Sequence, residues 1–393
     1  MWIDRKIDRV LESHRKIFPV VLVTGPRQSG KTSLLRHAFP SMRYVSLDDP
    51  AEASRAMFSP DEFLSQHAPP VIIDEIQYAP KLLRHIKIAA DASAKKGRFF
   101  LTGSQSFPLM QGVSESLAGR VGIINLMTLD AGEVAGARRR FSLEDYIMRG
   151  GYPALHAGAV KDAREWFPSY VATYLERDVR NVLNVSSLRD YGRFLRAAAL
   201  RTGQVLSLSD LARDVGIAPN TAKAWLSILQ ASGLVFLLEP YHRNMGKRLV
   251  KSPKLYVADT GLACHLLGLS SWEEASRSAL VGALWETYAL NQILRAFANR
   301  GAGSPPLWFW RTHDGKEVDF VIERGGRFIA VESKYTSTPS ERDAKALDAF
   351  RTVYGKENVL RSLIVCRTSK RYPMNADVIV DNAIEVGEVL NWN

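Results

Sequence analysis

The sequence predicts an α/β protein built on a parallel sheet and followed by further domains. Apolar runs alternate with helical segments between residues 20 and 126, which is typical of a parallel sheet with helices on both faces. The chain has 393 residues, 46% of them hydrophobic, which is enough for two or three domains with their own cores. The predicted strands are residues 20–23, 44–47, 71–73, 99–102 and 121–126.

The first apolar run leads directly into a glycine-rich loop that matches the phosphate-binding P-loop pattern in its strand–loop–helix setting. In such a loop the backbone N–H groups bind phosphate oxygens, Lys31 reaches the β- and γ-phosphates, and Thr32 ligates Mg²⁺. The positive end of the following helix dipole favours the same anion. We therefore expect ATP and Mg²⁺ as cofactors. The nucleotide-binding residues are predicted to be Gly25, Pro26, Arg27, Gln28, Ser29, Gly30, Lys31, Thr32, Ser33 and Asp74.

The third apolar run ends in two acids, Asp74 and Glu75. In a parallel sheet these acids would lie at the same carboxyl edge as the P-loop. We expect Asp74 to hold Mg²⁺ and Glu75 to orient and deprotonate the attacking water. Acids also end strands without such a role, but the P-loop upstream favours the catalytic interpretation.

Two polar residues flank the last two strands of this region. Ser104 follows the fourth strand and is expected to touch the γ-phosphate or the attacking water. Arg120 precedes the fifth strand, where it is either an arginine finger for the nucleotide of a neighbouring subunit or a member of a surface ion pair. The first alternative implies a homo-oligomer, with a ring as one arrangement.

Composition indicates the kind of partner that the protein binds and the cellular compartment in which it works. The formal net charge of +11 and the pI of about 9.6 favour a polyanionic partner, and nucleic acid is the commonest one for a basic ATPase. Cys264 and Cys366 are too few for a zinc cluster or a disulfide framework, which favours a reducing compartment and hence the cytoplasm. No apolar run approaches the ~20 residues needed to span a bilayer, so no membrane role is expected.

The middle of the chain predicts a helical lid and connector over residues 129–200 and a winged helix over residues 201–265. Helices at 207–216 and 219–232 have helix-turn-helix spacing, and strands at 234–238 and 254–257 enclose a basic loop. This pattern favours DNA binding, although winged helices also dock proteins or serve only as structure. The predicted DNA-binding residues are Asn220, Thr221, Lys223, Arg243, Lys247, Arg248 and Lys251.

Gly325 and Gly326 separate two apolar runs and predict a β-hairpin. With these glycines as the turn, Arg324 opposes Arg327, which places Asp319 opposite Glu332 and Glu317 opposite Lys334. Glu317, Asp319, Glu332 and Lys334 then share one face of the hairpin. The other face is expected to be apolar and to carry Val318, Phe320, Ile322, Ile329 and Val331.

Two opposed carboxylates have a cost of up to ~1 kcal/mol unless a cation lies between them. We therefore expect Asp319 and Glu332 to bind Mg²⁺ or Mn²⁺ through oxygen, and Lys334 to position or activate water beside a scissile phosphate. Two other interpretations stay open. Lys334 could neutralise Glu332 and Glu317 as a surface charge ladder, or the domain could bind DNA without cutting it.

The motifs GPRQSGKTS, VIIDEIQ, LTGSQ and LAGR resemble those of AAA+ ATPases of bacteria and archaea that carry the C-terminal domain of unknown function 4143. Matches at residues 150–153, 174–178, 254–262 and 317–334 extend the resemblance over nearly the whole chain. It implies an AAA+ core at residues 1–128, then the helical lid, and a nuclease-like domain at residues 266–393. The family supplies no established activity.

The hairpin constellation itself resembles the PD-(D/E)XK nuclease core. In that family a glutamate from a preceding helix often joins the site, and Glu286 matches its place, although a solvated helix residue is the alternative. The sequence therefore predicts an ATP-driven DNA-processing protein that binds and remodels DNA, branched or single-stranded, with or without metal-dependent cleavage. The alternative is a nucleotide-dependent signalling or defence switch whose C-terminal domain binds a partner without catalysis.

Overall fold

The computed structural model describes residues 1–103, 112–113, 115–158, 160, 162–174, 188–241 and 251–390. Four residues of the predicted sites lie outside these ranges: Ser104, Arg243, Lys247 and Arg248.

An N-terminal sheet contains the five strands that the sequence predicts. They are β1 (Val20–Thr24), β2 (Arg43–Ser46), β3 (Val71–Asp74), β4 (Phe99–Thr102) and β5 (Val121–Asn125). All pairs are parallel and the strand order is β2-β3-β4-β1-β5. The helices of this part are α1 (Asp8–Ile17), α2 (Lys31–Ala38), α3 (Pro50–Phe58), α4 (Pro60–Gln66) and α5 (Leu82–Asp91).

Helices cover both faces of this sheet, which confirms the predicted α/β class. Val20 and Leu22 of β1 pack in one core with Phe63 of α4 and residues of α5. Their neighbours in β1 pack in a second core with residues of α1 and α2, including Leu11. The alternation of side chains along β1 therefore divides its apolar residues between two buried layers.

The middle of the chain is mainly helical and ends in a small sheet. Ser207 caps the helix Leu208–Val215 and Gly216, with φ of 79°, ends it, as the helix-turn-helix spacing predicts. In the small sheet the strand Lys254–Val257 is central, between Gln204–Val205, which was not predicted, and Val235–Leu238. The elements are α6 (Ala131–Ala137), α7 (Leu143–Arg149), α8 (Ala163–Tyr174), α9 (Leu188–Ala199), β6 (Gln204–Val205), α10 (Leu208–Val215), α11 (Pro219–Ala231), β7 (Val235–Leu238), β8 (Lys254–Val257), α12 (Thr260–Leu266) and α13 (Trp272–Arg277).

A mixed sheet of six strands forms the C-terminal part, with α14 in the core on one face and α15 on the other. Among the described residues, no helix, the 18-residue α14 included, is long and apolar enough to cross a membrane. The strand order is β13-β14-β12-β11-β10-β9. The elements are α14 (Val281–Ala298), β9 (Leu307–Arg311), β10 (Glu317–Arg324), β11 (Arg327–Ser333), α15 (Glu341–Tyr354), β12 (Val359–Cys366), β13 (Tyr372–Pro373), β14 (Val378–Asn382) and the 3₁₀ segment Ala383–Leu390.

From the turn out to the pair of Phe320 and Val331, the hairpin of β10 and β11 has the predicted register; the predicted pairs of Asp319 with Glu332 and of Glu317 with Lys334 lie beyond this paired stretch. Arg324 pairs with Arg327, and the two turn glycines have φ of 62° and 82°. The prediction that Val318 shares a face with Phe320 is wrong. A bulge lies between Val318 and Val321 where β10 pairs with β9, so Val318 packs in the α15 core and Phe320 in the α14 core. The extra residue interrupts the alternation on which the prediction rested.

The three-stranded sheet and the six-stranded C-terminal sheet are joined through their backbones. Beyond the end of β7, the N–H of Tyr241 donates to the carbonyl of Phe309 at 2.7 Å, and the Phe309 N–H donates to the Glu239 carbonyl at 3.1 Å. This extension of β7 therefore runs beside β9, the edge strand of the C-terminal sheet. Because β8 pairs with β7, this connection also fixes the position of β8 relative to the C-terminal sheet.

A buried ion pair connects four segments of the chain. Asp259 and Arg295 are each 2% exposed, and their Oδ2 and Nη2 atoms are 3.1 Å apart. The same guanidinium nitrogen donates to Thr128 at 2.6 Å, and Gly151 donates its N–H to Asp259 at 2.8 Å. The other Asp259 oxygen caps α12. Four segments thus meet at the Asp259 carboxylate: the segment after β5, the loop after α7, the start of α12, and α14.

Asp259→Asn should lower the free energy of unfolding by about 3 kcal/mol, because it leaves the Arg295 charge buried without its counter-ion. Asp145→Asn is the matched control. The Asp145 side chain is 43% exposed, and its pairs with Arg138 and Arg149 are open to solvent, so the change should be below about 1 kcal/mol. Chemical denaturation followed by circular dichroism measures both; equal losses would contradict the role given to Asp259.

Candidate functional site

The predicted P-loop joins β1 to α2 at the carboxyl edge of the N-terminal sheet. Gly25 and Gly30 have φ of 144° and 91°, which favour glycine. A Cβ atom on Gly25 would lie 2.1 Å from the carbonyl oxygen of Leu126. The loop sequence therefore meets a backbone requirement of this turn.

Two polar groups of the loop are placed for an anionic ligand. The Lys31 ammonium group lies over the loop and donates to the carbonyl oxygens of Gly25 and Pro26 at 3.2 and 2.9 Å. The Ser29 hydroxyl is buried and has no hydrogen-bond partner among the described residues. A buried hydroxyl of this kind is uncommon without a ligand or water to satisfy it.

Asp74, the last residue of β3, contacts the first turn of α2 directly after the loop. The Thr32 hydroxyl donates to Oδ1 of Asp74 at 2.7 Å, and the Tyr44 hydroxyl donates to Oδ2 at 3.0 Å. Thr102, at the end of β4, donates to the same carboxylate and accepts from the N–H of Glu75 at 3.0 Å. Hydroxyl and carboxylate oxygens are the ligands that Mg²⁺ prefers, so these residues fit a nucleotide-bound magnesium ion.

Arg120 lies at the opposite edge of the sheet. It precedes β5, which is parallel to β1, and therefore lies at the amino ends of the strands. Its guanidinium group forms an ion pair with Asp91 on the surface. Within one chain, Arg120 is therefore a member of a surface ion pair, which is the second of its two predicted roles. A contribution to the nucleotide site of a neighbouring subunit stays a prediction.

The P-loop is in contact with the middle of the chain. A Cβ atom on Gly233, in the turn between α11 and β7, would lie 2.9 Å from Cγ of Pro26. A Cβ atom on Gly30 would lie 3.7 Å from Cγ of Pro153. Arg5 donates to the carbonyl of Ser29 at 3.1 Å. The P-loop and the turn before β7 are therefore close neighbours in the structure.

The predicted DNA-binding residues within the described chain lie at the surface. Asn220 and Lys223 are exposed in the first turns of α11, and Thr221 is half-buried. Lys251, shortly before β8, is also exposed. These positions are accessible to a ligand.

Three carboxylates meet in the C-terminal part: Glu286 of α14 and Glu317 and Asp319 of β10. One oxygen of each lies within 4.8 Å of the others. The ammonium group of Lys254 lies among them, 2.7 Å from Glu286, in contact with Glu317, and 3.9 Å from Asp319. Its side chain is 1% exposed. We call these three acids the acid cluster.

Sequence reasoning places Glu286 and Asp319 together and misses Lys254 and the role of Glu317. Lys254 begins the motif at residues 254–262, which is the available signal. Tyr256, two residues on, donates to Glu286 from the same strand. Because side chains two apart on a strand share a face, the pair could have been expected to point the same way.

Glu332 and Lys334 pair with each other beside the cluster. The Lys334 ammonium group donates to Oε1 of Glu332 at 2.6 Å, while Oε2 of Glu332 is buried and has no partner among the described residues. Asp319 accepts from the N–H and the hydroxyl of Ser333, both at 2.8 Å. The predicted ligands Asp319 and Glu332 thus engage protein donors, and the three acids that converge on one point include Glu317 in place of Glu332.

The crowded acids shift one another's ionisation. Burial, reinforced by Asp319, raises the pKa of Glu286 to about 7 and the pKa of Glu332 well above its ordinary value. Burial alone would lower the pKa of Lys254, but the carboxylates of Glu286, Asp319 and Glu317 raise it above its ordinary value. Lys254 is therefore a cation in this site. A divalent metal does not fit the acid cluster in this arrangement, because Lys254 holds the point where the acids converge.

A parallel five-stranded sheet with this loop and the acids after β3 defines a P-loop nucleotide-binding domain. Residues 18–135 match the family described as AAA domain. Residues 281–386 match a domain of unknown function, DUF4143, and residues 140–273 match another, DUF8612.

Two uncharacterized mycobacterial proteins are similar over most of their length. Rv2008c of Mycobacterium tuberculosis and Mb2031c of Mycobacterium bovis are each 33% identical to the chain over 380 residues, covering 94% of the chain and 82% of the relative. The chain belongs to their family, the AAA ATPases that carry the C-terminal domain DUF4143.

Two solved structures illustrate the similarity of the chain to known folds. The Walker-type ATPase PABY2304 of Pyrococcus abyssi is 19% identical with a TM-score of 0.46, covering 67% of this chain and 96% of that one. RuvB of Thermotoga maritima is 18% identical with a TM-score of 0.29, covering 60% of this chain and 88% of that one.

Lys31→Ala should weaken ATP binding about 10- to 100-fold, since a hydrogen bond to a charged group contributes ~1.5–3 kcal/mol. Lys81→Ala, an exposed lysine before α5, should leave the affinity unchanged. Titration with a fluorescent ATP analogue measures both variants. An unaltered affinity in Lys31→Ala would remove the P-loop from the nucleotide site.

Proposed function

We propose that the protein hydrolyses ATP and binds DNA, and that the nucleotide state of the P-loop controls how its middle part engages DNA. The contact between Pro26 and Gly233 carries this proposal. Gly233 has φ of 68° and lies in the turn that joins α11, the predicted recognition helix, to β7. Because Cβ would already be too close to Pro26, the turn has little room to adjust independently of the loop.

The residues at the sheet edge support hydrolysis. Bound Mg²⁺ would neutralise charge on the phosphates, with Thr32 and Asp74 as the residues that hold it. The N–H of Glu75 is held by Thr102, and its carboxylate accepts from Gln77. The Glu75 carboxylate is the base that the chain offers for the attacking water, and Lys31 would leave the carbonyls that it now contacts for the phosphates.

Glu75→Gln should retain ATP binding and lower turnover about 100-fold or more, because it removes a general base and keeps the shape of the side chain. Glu62→Gln, on the exposed side of α4, is the matched control and should turn over ATP normally. Phosphate release under single-turnover conditions measures both. Normal turnover in Glu75→Gln would reject its assignment.

DNA binding is supported by the surface of α11 and by the charge of the chain. Asn220 and Lys223 are exposed at the start of α11, where side chains of helix-turn-helix proteins reach bases or phosphates. The net charge of +11 favours association with a polyanion. Lys251 continues the basic predicted wing up to the start of β8.

Lys223→Glu should weaken DNA binding about tenfold and lower the salt dependence of binding by about one phosphate contact. Lys345→Glu introduces the same charge change on the exposed side of α15, away from α11, and should have little effect. Fluorescence anisotropy with linear, forked and four-way DNA at several salt concentrations measures both. Equal losses would indicate that only net charge matters.

The second candidate is a nucleotide-dependent signalling or defence switch whose C-terminal part binds a partner without catalysis. The position of Lys254 supports a C-terminal part without catalysis, because its ammonium group fills the point where a catalytic metal would bind. ATP turnover that is slow and indifferent to DNA would support it. Metal-dependent DNA cleavage that is lost in Asp319→Asn would instead support the predicted nuclease.

A further inference from the structure

We propose that the acid cluster is a cation site whose resident cation is the ammonium group of Lys254, and that Lys254 and a divalent ion such as Mg²⁺ or Mn²⁺ are mutually exclusive occupants. Lys254 comes from the middle part of the chain and the acids from the C-terminal part. The interaction therefore holds the middle and C-terminal parts of the chain together. We call the contacts of Lys254 with the acid cluster the lock.

Strand pairing fixes the backbone position of Lys254 beside the acid cluster. Lys254 is the first residue of the central strand β8, paired with Leu238 of β7 on one side and Val205 of β6 on the other. The extension of β7 is in turn hydrogen-bonded to Phe309 of β9. Strand pairs thus link Lys254 to the sheet that carries Asp319.

The side chain is held by several groups at once. Its ammonium group contacts Glu286 and Glu317, and its nitrogen lies 5.6 Å from the ring centroid of Phe309. Tyr256 donates to the same oxygen of Glu286 that accepts from Lys254. Such a fixed geometry, with 1% of the side chain exposed, is unlike that of a mobile surface lysine.

Charge explains why the two cations exclude each other. The cluster and Glu332 contribute four carboxyl groups, and three cations pair with them: Lys254, Arg311 on Glu317, and Lys334 on Glu332. If Lys254 stayed in place, a divalent ion bound by the same acids would put two further positive charges beside its ammonium group. The like charges repel strongly at that separation in a buried site. Metal binding therefore requires β8 to withdraw Lys254.

The lock is connected to the surface that we propose for DNA. Lys251, one of the predicted DNA-binding residues, lies three positions before Lys254 in the chain. The same small sheet touches the P-loop through Gly233. The exclusion of metal by Lys254 nevertheless stands on the acid cluster alone, and its test needs neither ATP nor DNA.

Lys254→Met keeps the length of the side chain and removes its charge. It should gain one Mn²⁺ site per chain, on the order of tenfold or more tighter than any Mn²⁺ binding at the cluster of the natural chain, because the competing cation is gone. Electron paramagnetic resonance of free Mn²⁺ without nucleotide measures the binding. The added site should disappear in Lys254→Met/Asp319→Asn. Lys345→Met is the matched control and should gain no site.

Thermal unfolding provides a second readout. Mn²⁺ should raise the Tm of Lys254→Met, which lacks its buried cation, and leave the Tm of the natural chain unchanged. If Lys254→Met does not fold, Lys254→Met/Glu317→Gln removes one negative charge with the positive one and keeps Glu286 and Asp319 as ligands. A folded variant that binds no Mn²⁺ would overturn the proposal. So would a natural chain that binds Mn²⁺ at a site lost in Asp319→Asn.

Discussion

The arrangement of the whole chain depends on the buried ion pair of Asp259 and Arg295. Burying either charge alone would be strongly unfavourable, so each segment that contributes a partner must reach the same point. The pair gathers the end of the nucleotide-binding domain at Thr128, the loop at Gly151, the start of α12 and the middle of α14. The nucleotide-binding and C-terminal parts are therefore both attached to this ion pair.

The small sheet of β6, β7 and β8 lies between the two sites and touches both. Its α11–β7 turn meets the P-loop at Pro26, and its central strand carries Lys254 into the acid cluster. A sheet transmits displacement along its strands because the backbone hydrogen bonds fix neighbouring residues together. Under the proposed function, a nucleotide-dependent movement of the loop would act on the acid cluster through this sheet of three short strands.

The two candidate sites satisfy their charges in different ways. At the P-loop, Lys31 is held by backbone carbonyls, which are weak partners for a cation, and phosphate oxygens would replace them favourably. At the acid cluster, Lys254 is held by carboxylates, which are strong partners. The first site is arranged to accept a charged ligand, whereas the second already contains a cation of the chain itself. This difference explains why similar sequence signals, acids and a lysine near strand ends, have different structural outcomes.

The sequence by itself determined the features that depend on local spacing. The P-loop with its acids, the five parallel strands and the register between Arg324 and Arg327 follow from short motifs, apolar runs and a two-glycine turn. Only the tertiary structure decided the face of Val318, because a bulge arises from pairing with β9, and the partner of Arg120, because Asp91 reaches it from another element. It also decided the cation of the acid cluster. Lys254 approaches Asp319 through pairing between distant strands, and no local pattern in the chain encodes which buried charges will meet.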